Sequence, residues 1–351
     1  MYKRQIGRRF KLVHVFNRSE LIEVATFRSG ENKENDGNLV TDRTGKILRD
    51  NIWGTLEQDT FRRDFTVNAL YYCPISKKIE DHNSGIKHIR DKKIVSIGDP
   101  IKRFSEDPVR SLRAIRFSNK LQFKIDSKIK DAIYKQGHLL SHISNARLFD
   151  EFCKIFLNGI AEKNFKKLES YGLNQYLILT NPNDTIFSSE LIKEALRNTD
   201  KRFGENKSIT PGFLIAAMLW PELIKRASKN DEINLRKFFR SMDQVLKNQQ
   251  NITAIPRKFH TYIKDIWILQ LKLHSRIGKQ PYKTLKHPRF RAAYDFLLIR
   301  EKASKCKPDL GSWWTKFQKN DPSSQKSLIS NLRELTEEQS FKKFGFPEEL
   351  I

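Results

Sequence analysis

Apolar and polar residues alternate near the start of the chain, a pattern that is typical of β-strands. Residues 11–17 (KLVHVFN) and 20–28 (ELIEVATFR) are rich in apolar and β-branched side chains, and only Arg18 and Ser19 separate them. The pattern predicts a β-hairpin. Two strands make a poor sheet by themselves, so we expect further strands to come from elsewhere and the sheet to be incomplete on its N-terminal side.

The following segment combines a loop with short elements. Residues 29–49 are polar and contain three glycines, which predicts a long loop. Positions 65–72 fit either a strand or one face of a helix. A short β-ribbon is predicted over residues 78–81 and 93–97, with its turn in the Asn-Ser-Gly sequence at 83–85.

From residue 104 onwards, apolar residues recur with helical spacing. Residues 146–157 and 190–196 predict amphipathic helices, and residues 212–220 (GFLIAAMLW) predict a helix that is buried in the core. Helical patterns dominate from here to the end of the chain.

Asp107 and Pro108 predict the start of one of these helices, with the aspartate as N-cap and the proline in the first position. Three arginines then recur at every third position and line one side: Arg110, Arg113 and Arg116. Asp107 can accept from a base amino group and Arg110 can donate to a ring acceptor, so the pair could bind the edge of a nucleobase. The alternative is an amphipathic helix with a solvated basic face.

Composition points to a polyanionic partner. The chain carries 66 lysine and arginine residues against 41 aspartate and glutamate residues, a formal net charge of +25. RNA or DNA fits this surplus best, because basic side chains release counterions from the phosphate backbone. A membrane surface fits less well, since we find no basic amphipathic helix with a clean apolar face. A basic protein without a polyanionic partner is the remaining alternative.

Cysteine usage indicates a reducing cytosol. Cys73, Cys153 and Cys306 are isolated, and neither they nor the eight histidines have the spacing of a metal site. An odd number of isolated cysteines argues against a disulfide framework. No apolar run approaches the roughly 20 residues that cross a bilayer, and no signal-peptide core follows the basic start. We expect a cytoplasmic protein that does not bind membranes.

Arg62, Arg63 and Asp64 form the first candidate site. Planar guanidinium groups match phosphate oxygens, and the adjacent carboxylate can bind Mg²⁺ or accept a hydrogen bond from a ribose hydroxyl. The triplet therefore suits a nucleoside polyphosphate with its metal ion. The alternative is an exposed salt bridge at the start of a helix.

Glu23 is a second acidic candidate. It lies between apolar residues in a predicted strand, where successive side chains face opposite sides. Its carboxylate faces either a metal site or solvent.

Residues 255–301 are strongly basic and contain interleaved aromatic side chains. This combination suits single-stranded RNA, whose bases stack on aromatic rings and whose phosphates pair with cations. The aromatic residues, Trp267 above all, also fit a packed core. The basic candidates for RNA binding are Arg257, Lys258, Lys279, Arg289 and Arg291.

Taken together, these stretches resemble the class II nucleotidyltransferases, and among them the bacterial poly(A) polymerases. The matching segments cover nearly the whole chain in the expected order: GRRFKLVHV at 7–15, IEVATFR at 22–28, LRDNIWGTLEQD at 48–59, RRDFTVNALYY at 62–72, EDPVRSLRAIRF at 106–117, ARLFDEF at 146–152, DIWILQLKL at 265–273, HPRFRAAYDFL at 287–297 and WWTKFQ at 313–318. The tRNA CCA-adding enzymes share RRDFT and EDPVR, whereas LRDNIWG and HPRFRAAYD favour the polymerases.

The resemblance implies a role for each matching residue. Arg63 would contact the triphosphate, and Asp64 would contact the ribose or the metal-bound centre. Asp107 and Arg110 would bind the adenine edge, and Glu23 would match a third catalytic carboxylate. The other nucleotide-binding positions in these motifs are Arg62, Asn68, Arg113 and Arg116.

Two motifs of the family do not occur in this sequence. They are a Gly-Gly phosphate loop and an Asp-x-Asp pair that binds two Mg²⁺ ions. Transfer needs those carboxylates to activate the RNA 3′-hydroxyl and to hold the leaving pyrophosphate. We therefore expect an N-terminally truncated enzyme that keeps base selection and RNA contacts, with little or no activity by itself.

We expect an α+β protein, with a partial nucleotidyltransferase head of the polymerase-β type followed by an all-α neck, body and leg. The predicted boundaries are residues 1–75 for the head, 76–165 for the neck, and 166–335 for the body and leg. The resemblance implies that the intact enzyme adds AMP from ATP to RNA 3′ ends without a template, using Mg²⁺. It also implies that the tails promote RNA decay, with the RNA-decay machinery as a partner. The alternatives are CCA addition to tRNA and non-catalytic RNA binding.

Overall fold

The computed structural model describes residues 2–6, 12–18, 20–29, 53–179, 186–229, 232–304 and 310–336. Outside this part of the chain lie residues 30–49 of the loop predicted over 29–49, Cys306 and the last fifteen residues. The chain divides into two compact units, residues 1–137 and 138–351. Among the described residues, no helix has both the length and the apolarity needed to cross a membrane.

An antiparallel sheet in the order β1-β2-β3 forms the start of the first unit. Its strands are β1 (Tyr2–Ile6), β2 (Leu12–Asn17) and β3 (Glu20–Val24). The predicted hairpin is confirmed, and Arg18 has the positive φ of 54° of a tight turn. The strand pattern did not predict β1, because Lys3, Arg4 and Gln5 interrupt its alternation.

The apolar residues of β3 do not enter a core. Leu21, Ile22 and Val24 are each about half exposed, at 48%, 47% and 49%. Glu23 lies between them and is exposed as well. The sheet is therefore a thin layer with accessible apolar side chains.

The rest of the first unit mixes short strands with helices. In chain order its elements are α1 (Leu56–Phe61), a 3₁₀ turn (Thr66–Asn68), β4 (Leu70–Cys73), β5 (Lys78–Asp81), α2 (Gly85–Arg90), β6 (Lys93–Ile94), α3 (Pro100–Glu106), α4 (Val109–Leu121), β7 (Lys124–Ile125) and α5 (Ser127–Gln136). Residues 65–72 thus contain a 3₁₀ turn followed by a strand, so neither alternative describes the whole segment.

The β-ribbon predicted over residues 78–81 and 93–97 is wrong. β5 pairs antiparallel with β4, and β6 pairs in parallel with β7. The reason is the Asp81 carboxylate, which accepts from the backbone N–H groups of Gly85 and Ile86 at 2.8 and 2.9 Å. These bonds satisfy the first turn of α2, so the chain enters a helix instead of a hairpin.

The second unit is almost entirely helical. Its elements are a 3₁₀ turn (Gly137–His142, which begins at the boundary), α6 (Asn145–Phe156), α7 (Ala161–Ser170), a 3₁₀ turn (Asn174–Tyr176), α8 (Ile186–Gly204), α9 (Pro211–Ala227), β8 (Ser228–Lys229), β9 (Glu232–Ile233), α10 (Leu235–Gln250), α11 (Arg257–His274), α12 (Gln280–Leu285), α13 (Phe290–Ser304), α14 (Leu310–Lys319) and α15 (Pro322–Thr336). With the strands of the first unit, this arrangement fits the predicted α+β class.

The helix predicted at residues 212–220 is α9, and it forms the centre of the second unit as expected. Trp220 is fully buried. Trp267 is also fully buried, and its indole Nε1 donates to the Ala216 carbonyl at 2.9 Å, which ties α11 to α9. The indole Nε1 of Trp314 likewise donates to the Leu273 carbonyl at 2.9 Å, which ties α14 to α11. These three tryptophans therefore belong to the core of the second unit.

Candidate functional site

The Arg-Arg-Asp triplet follows directly from the end of α1. The helix begins with a capping box, in which the Thr55 hydroxyl accepts from the Gln58 N–H and the Gln58 side chain accepts from the Thr55 N–H. It ends at Arg62. Asp59 therefore lies about one turn before Arg62 and Arg63, within reach of both side chains.

Asp59 holds both guanidinium groups. Its Oδ1 accepts from Nε of Arg62 at 2.8 Å, and its Oδ2 accepts from Nε and Nη2 of Arg63 at 3.2 and 3.1 Å. The Tyr71 hydroxyl donates to Oδ2, and the backbone N–H of Arg28 donates to Oδ1. The Asp59 side chain is only 3% exposed. A buried carboxylate thus fixes the orientation of two partly exposed cations.

The same contacts keep Asp59 ionised. Burial by itself raises the pKa of the carboxyl group, but hydrogen bonds from Tyr71 and Arg62 outweigh it and lower that pKa to about 2. Asp59 therefore carries its charge at every pH at which the protein is expected to work.

Arginine side chains also hold the backbone of the triplet. Nη2 of Arg103 donates to the carbonyl oxygens of Arg62 and Arg63, both at 2.7 Å. Arg110 in turn donates to the Arg103 carbonyl at 2.5 Å. Burial and the neighbouring charge of Arg103 lower the pKa of Arg110. An anion beside these groups would relieve the crowding of positive charge.

Asp64 connects the triplet to α4. Its Oδ1 accepts from the Phe65 N–H at 3.0 Å and from Nδ2 of Asn68 at 3.2 Å. Its Oδ2 pairs with Nε of Arg113, which lies 49 positions later in the chain. The carboxylate is 8% exposed. Asp64 is therefore both a cleft residue and the anchor of an arginine from a distant helix.

The break between α3 and α4 positions the predicted base-binding pair. α4 begins at Val109 with Pro108 at its cap, one residue later than predicted, and Asp107 is the C-cap of α3. Proline has no N–H to continue the ladder, so the helix restarts after it. The Asp107 carboxylate accepts from the Val109 N–H at 3.3 Å.

These side chains line one cleft of about 490 Å³ in the first unit. This volume falls in the range of small-molecule sites, about 300–1,000 Å³. The lining residues are Arg62, Arg63, Asp64, Asn68, Asp107, Arg110, Arg113 and Phe117. The structure thus brings together all the nucleotide-site and catalytic candidates except Arg116 and Glu23. Arg116 lies on the same helix, with its guanidinium over the Phe117 ring at 4.3 Å.

The described residues do not fit a magnesium site. They contain no group of three or more histidine, cysteine, aspartate or glutamate residues that could hold a metal ion. In the cleft, Asp64 is engaged by Arg113. Glu23 pairs with His14 at 3.2 Å across the sheet, is 62% exposed and does not line the cleft. Its catalytic role stays a prediction.

The RNA-binding candidates lie on several helices of the second unit. Arg257 and Lys258 begin α11, and Lys258 covers the Phe259 ring at 5.1 Å. Lys279 is the cap residue before α12. Arg289 and Arg291 line a second cavity, of about 200 Å³. The structure brings only these last two together, and the role of all five in RNA binding stays a prediction.

Sequence reasoning missed Asp59, Tyr71 and Arg103. Asp59 could have been predicted from the sequence. The segment LEQDTFRR places this acid three and four residues before two arginines, which is the spacing of neighbours on a helix. Tyr71 and Arg103 meet the triplet only through the tertiary fold.

Three family models match the chain. They are the poly A polymerase head domain over residues 1–95, the probable RNA and SrmB-binding site of polymerase A over 122–182, and the polymerase A arginine-rich C-terminus over 231–344.

Curated relatives agree with these matches. Poly(A) polymerase I of Escherichia coli O6:H1 is 40% identical over 349 residues, which cover 94% of this chain and 74% of that protein. Poly(A) polymerase I of Haemophilus influenzae is 38% identical and covers 95% of this chain and 76% of its own length. A CCA-adding enzyme of Anoxybacillus flavithermus is 35% identical over 181 residues, 52% of this chain and 42% of that enzyme.

Solved structures show the same fold at lower identity. The CCA-adding enzyme of Bacillus stearothermophilus in complex with CTP matches with a TM-score of 0.56 and 21% identity, covering 95% of this chain and 69% of that one. A tRNA-processing enzyme in an apo form matches with a TM-score of 0.61 and 19% identity, covering 94% and 80%. The α+β nucleotidyltransferase fold with a helical body is thereby confirmed.

Proposed function

We propose that this chain, which belongs to the poly(A) polymerase I family of nucleotidyltransferases, acts in the template-independent addition of AMP from ATP to RNA 3′ ends and supplies the cleft that binds the ATP. The observation that carries the proposal is the cleft in the first unit, where four arginines surround two aspartates. ATP joins a polyanion to a base with a distinctive hydrogen-bonding edge, and the cleft offers groups for both parts.

The phosphate side of the cleft is formed by Arg62 and Arg63. Both guanidinium groups are fixed by Asp59 on one side, and their side chains are 29% and 38% exposed. Fixed planar donors bind phosphate oxygens without first losing side-chain freedom. We assign the triphosphate to them.

The base and ribose are assigned to the other lining residues. Asp107 and Arg110 offer an acceptor and a donor, which suit the amino group and the ring nitrogen of adenine. Asp64 already accepts three hydrogen bonds, and an ionised carboxylate has about four acceptor positions. One position remains for a ribose hydroxyl.

Magnesium is the divalent ion expected for this family, where it activates the RNA hydroxyl and stabilises the leaving pyrophosphate. The described residues do not provide its ligands. The proposed roles of the cleft residues are therefore limited to binding and orienting ATP.

The proposal is tested first by ATP binding and then by transfer. A fluorescent ATP analogue reports binding, and α-labelled ATP with a short unstructured RNA reports AMP addition. Asp64→Asn keeps the side-chain shape but releases Arg113, so we expect transfer to fall at least about a hundredfold through misplaced groups, with RNA binding nearly intact. Asp91→Asn removes an exposed carboxylate of the same unit and should leave both unchanged. Equal loss of transfer and RNA binding in Asp64→Asn would mean that Asp64 is structural.

CCA addition is the second candidate, supported by the CCA-adding relative that is 35% identical over half of this chain. It predicts incorporation of labelled CTP into a tRNA that lacks its 3′ end, whereas polyadenylation predicts ATP alone. Salt-dependent RNA binding without transfer of any nucleotide, at every Mg²⁺ concentration, would favour a non-catalytic RNA-binding protein.

The setting we propose is RNA decay in the cytoplasm. The isolated cysteines Cys73 and Cys153 are free thiols, as expected in a reducing compartment. The match over residues 122–182 to an RNA and SrmB-binding region supports contact with RNA and with proteins that act on it.

A further inference from the structure

The second unit contains a cavity that the proposed chemistry does not use. It lies between α8, the start of α9, α11 and α13, and its volume is about 200 Å³. This is smaller than the roughly 300–1,000 Å³ of sites for drug-sized ligands. Apolar side chains such as Phe213 and Ala292 form part of its wall, and three arginines lie around it: Arg202, Arg289 and Arg291.

Asn198 supplies a polar group without a partner. It lines the cavity, and its Oδ1 is buried and has no hydrogen-bond partner among the described residues. The neighbouring Thr199 hydroxyl is committed to the Ala195 carbonyl at 2.9 Å, so it does not satisfy Asn198. Buried acceptors without a partner are rare and unfavourable. A ligand that donates a hydrogen bond at this point removes the deficit.

Arg289 and Tyr262 form a platform on the cavity wall. The guanidinium lies over the tyrosine ring, 4.9 Å from its centroid. Arg289 has no carboxylate partner within the described part of the chain, and its side chain is exposed. Nucleobases stack on guanidinium planes as well as on aromatic rings, so the outer face of this pair is suited to a base.

The charge around the cavity is positive but partly balanced. Asp295 pairs with Nε of Arg291 at 3.0 Å and with Nη1 of Arg202 at 3.4 Å. Arg202 also donates to the Ser208 carbonyl at 3.1 and 3.0 Å, which holds it in the wall. Arg291 is 73% exposed, so it can bind a phosphate outside the cavity while the base lies inside.

We propose that this cavity binds one unstacked adenine nucleotide of single-stranded RNA. The Asn198 amide accepts from the adenine amino group and donates to the adjacent ring nitrogen, as asparagine does with adenine elsewhere. The Arg289–Tyr262 pair stacks on the base, and Arg291 binds the backbone phosphate. Only the choice of RNA as the ligand rests on the proposed function.

Adenine fits this cavity better than uracil or cytosine. Uracil presents a carbonyl oxygen and an N–H in the arrangement opposite to that of adenine. Cytosine presents an amino group beside a ring acceptor, but its single ring offers less area to the Arg289–Tyr262 platform. The preferred RNA is therefore an adenosine-rich strand, the same chemistry as the proposed product.

The test is the affinity of the full chain for labelled oligoadenylate, oligouridylate and oligocytidylate, measured by fluorescence anisotropy without nucleoside triphosphates. We expect oligoadenylate to bind tightest. Asn198→Ala should reduce its advantage over oligouridylate by roughly 5- to 100-fold. Arg289→Ala removes the stacking platform and should weaken all three, whereas Arg291→Ala removes the phosphate contact and should lower the slope of log affinity against log salt by about one. Arg240→Ala, a charge-matched change at an exposed position of α10, should change none of the three affinities by more than about twofold.

An unchanged ratio of the oligoadenylate and oligouridylate affinities in Asn198→Ala overturns the proposal. If the alanine variant does not fold, Asn198→Asp keeps the side-chain shape, loses the donor, and should remove the preference as well. AMP transfer is measured separately. If the chain transfers AMP but Asn198→Ala does not change the preference for oligoadenylate, the cavity proposal alone is refuted. If the preference depends on Asn198 but no AMP is transferred, the polymerase function alone is refuted.

Discussion

The arginines of the cleft and those of the second cavity differ in how they are held. In the cleft, Arg62, Arg63 and Arg113 each pair with a buried carboxylate and are about one-third exposed. In the cavity, the Arg289 guanidinium lies over the Tyr262 ring. Arg291 is 73% exposed and shares the Asp295 carboxylate with Arg202.

The difference reflects what each site is proposed to bind. Donors that are already fixed lose little side-chain entropy on binding, which favours a ligand of one shape such as a nucleoside triphosphate. Exposed arginines keep that freedom and can follow the varied backbone of a polymer.

The largest expected effect belongs to Asp59→Ala. The substitution leaves two guanidinium groups and the Tyr71 hydroxyl without their acceptor, and breaking one partner of a buried pair costs about 3–5 kcal/mol. Because the arginines are partly exposed, we expect about 3 kcal/mol of lost unfolding free energy in chemical denaturation. Glu57→Ala, an exposed acid on the same helix, is the control. A loss in Asp59→Ala no larger than that of the control would show that the arginines orient without Asp59.

The pH dependence of stability follows from the same carboxylate. Its pKa is about 2 in the folded protein and 3.8 without the fold, so it stabilises the protein above pH 4. This contribution, about 2 kcal/mol, is lost as the pH falls from about 4 to 2. Unfolding free energies of the original chain and Asp59→Ala should therefore converge over this range. Curves that stay parallel would contradict the lowered pKa.

Arginine-to-lysine changes test whether shape or charge matters. Arg63→Lys loses the fork that contacts Asp59 and the Asn68 carbonyl, so we expect the ATP affinity to fall about tenfold despite the unchanged charge. Arg291→Lys keeps the positive charge on an exposed side chain, so its RNA affinity should stay within about twofold of that of the original chain. Similar losses at both positions would remove the contrast between the two sites.

The smallest effect is expected for Asp295→Ala. Its partners Arg202 and Arg291 are 30% and 73% exposed, and exposed ion pairs contribute about 0–1 kcal/mol. We expect less than about 1 kcal/mol of lost stability and RNA binding that is slightly tighter, because both arginines are released for phosphate. Titration with oligoadenylate at two salt concentrations measures this, and weaker binding would mean that Asp295 positions the arginines.

The candidate site could be predicted wherever its residues are neighbours in the sequence. Arg62, Arg63 and Asp64 are adjacent, and the arginines of α4 follow helical spacing, so local patterns identify them. The pairing of Asp64 with Arg113 joins positions 49 apart, and no local pattern contains that contact. The resemblance to a family placed both motifs in one site, and the cleft shows how the chain brings them together.

The fold was predictable in its buried helices and less so in its short strands. The apolar run of α9 indicates a core helix whatever surrounds it, and Trp220 is fully buried there. β1 and the pairing of β5 depend on hydrogen bonds between backbone groups and on the Asp81 carboxylate, which leave little trace in hydrophobic periodicity. The register of strand pairing decides such elements, and it arises only when distant segments meet.

The half-exposed sheet has a consequence for the protein in solution. Within the described residues, β1 and β3 each lack a strand on their outer side, and three aliphatic side chains of β3 are accessible. Such edges template the addition of strands from other copies. At low ionic strength, the net charge of +25 keeps copies apart, whereas added salt screens that repulsion. Light scattering should therefore show aggregates that grow with both salt and protein concentration, and salt titrations of RNA binding are best performed with dilute protein.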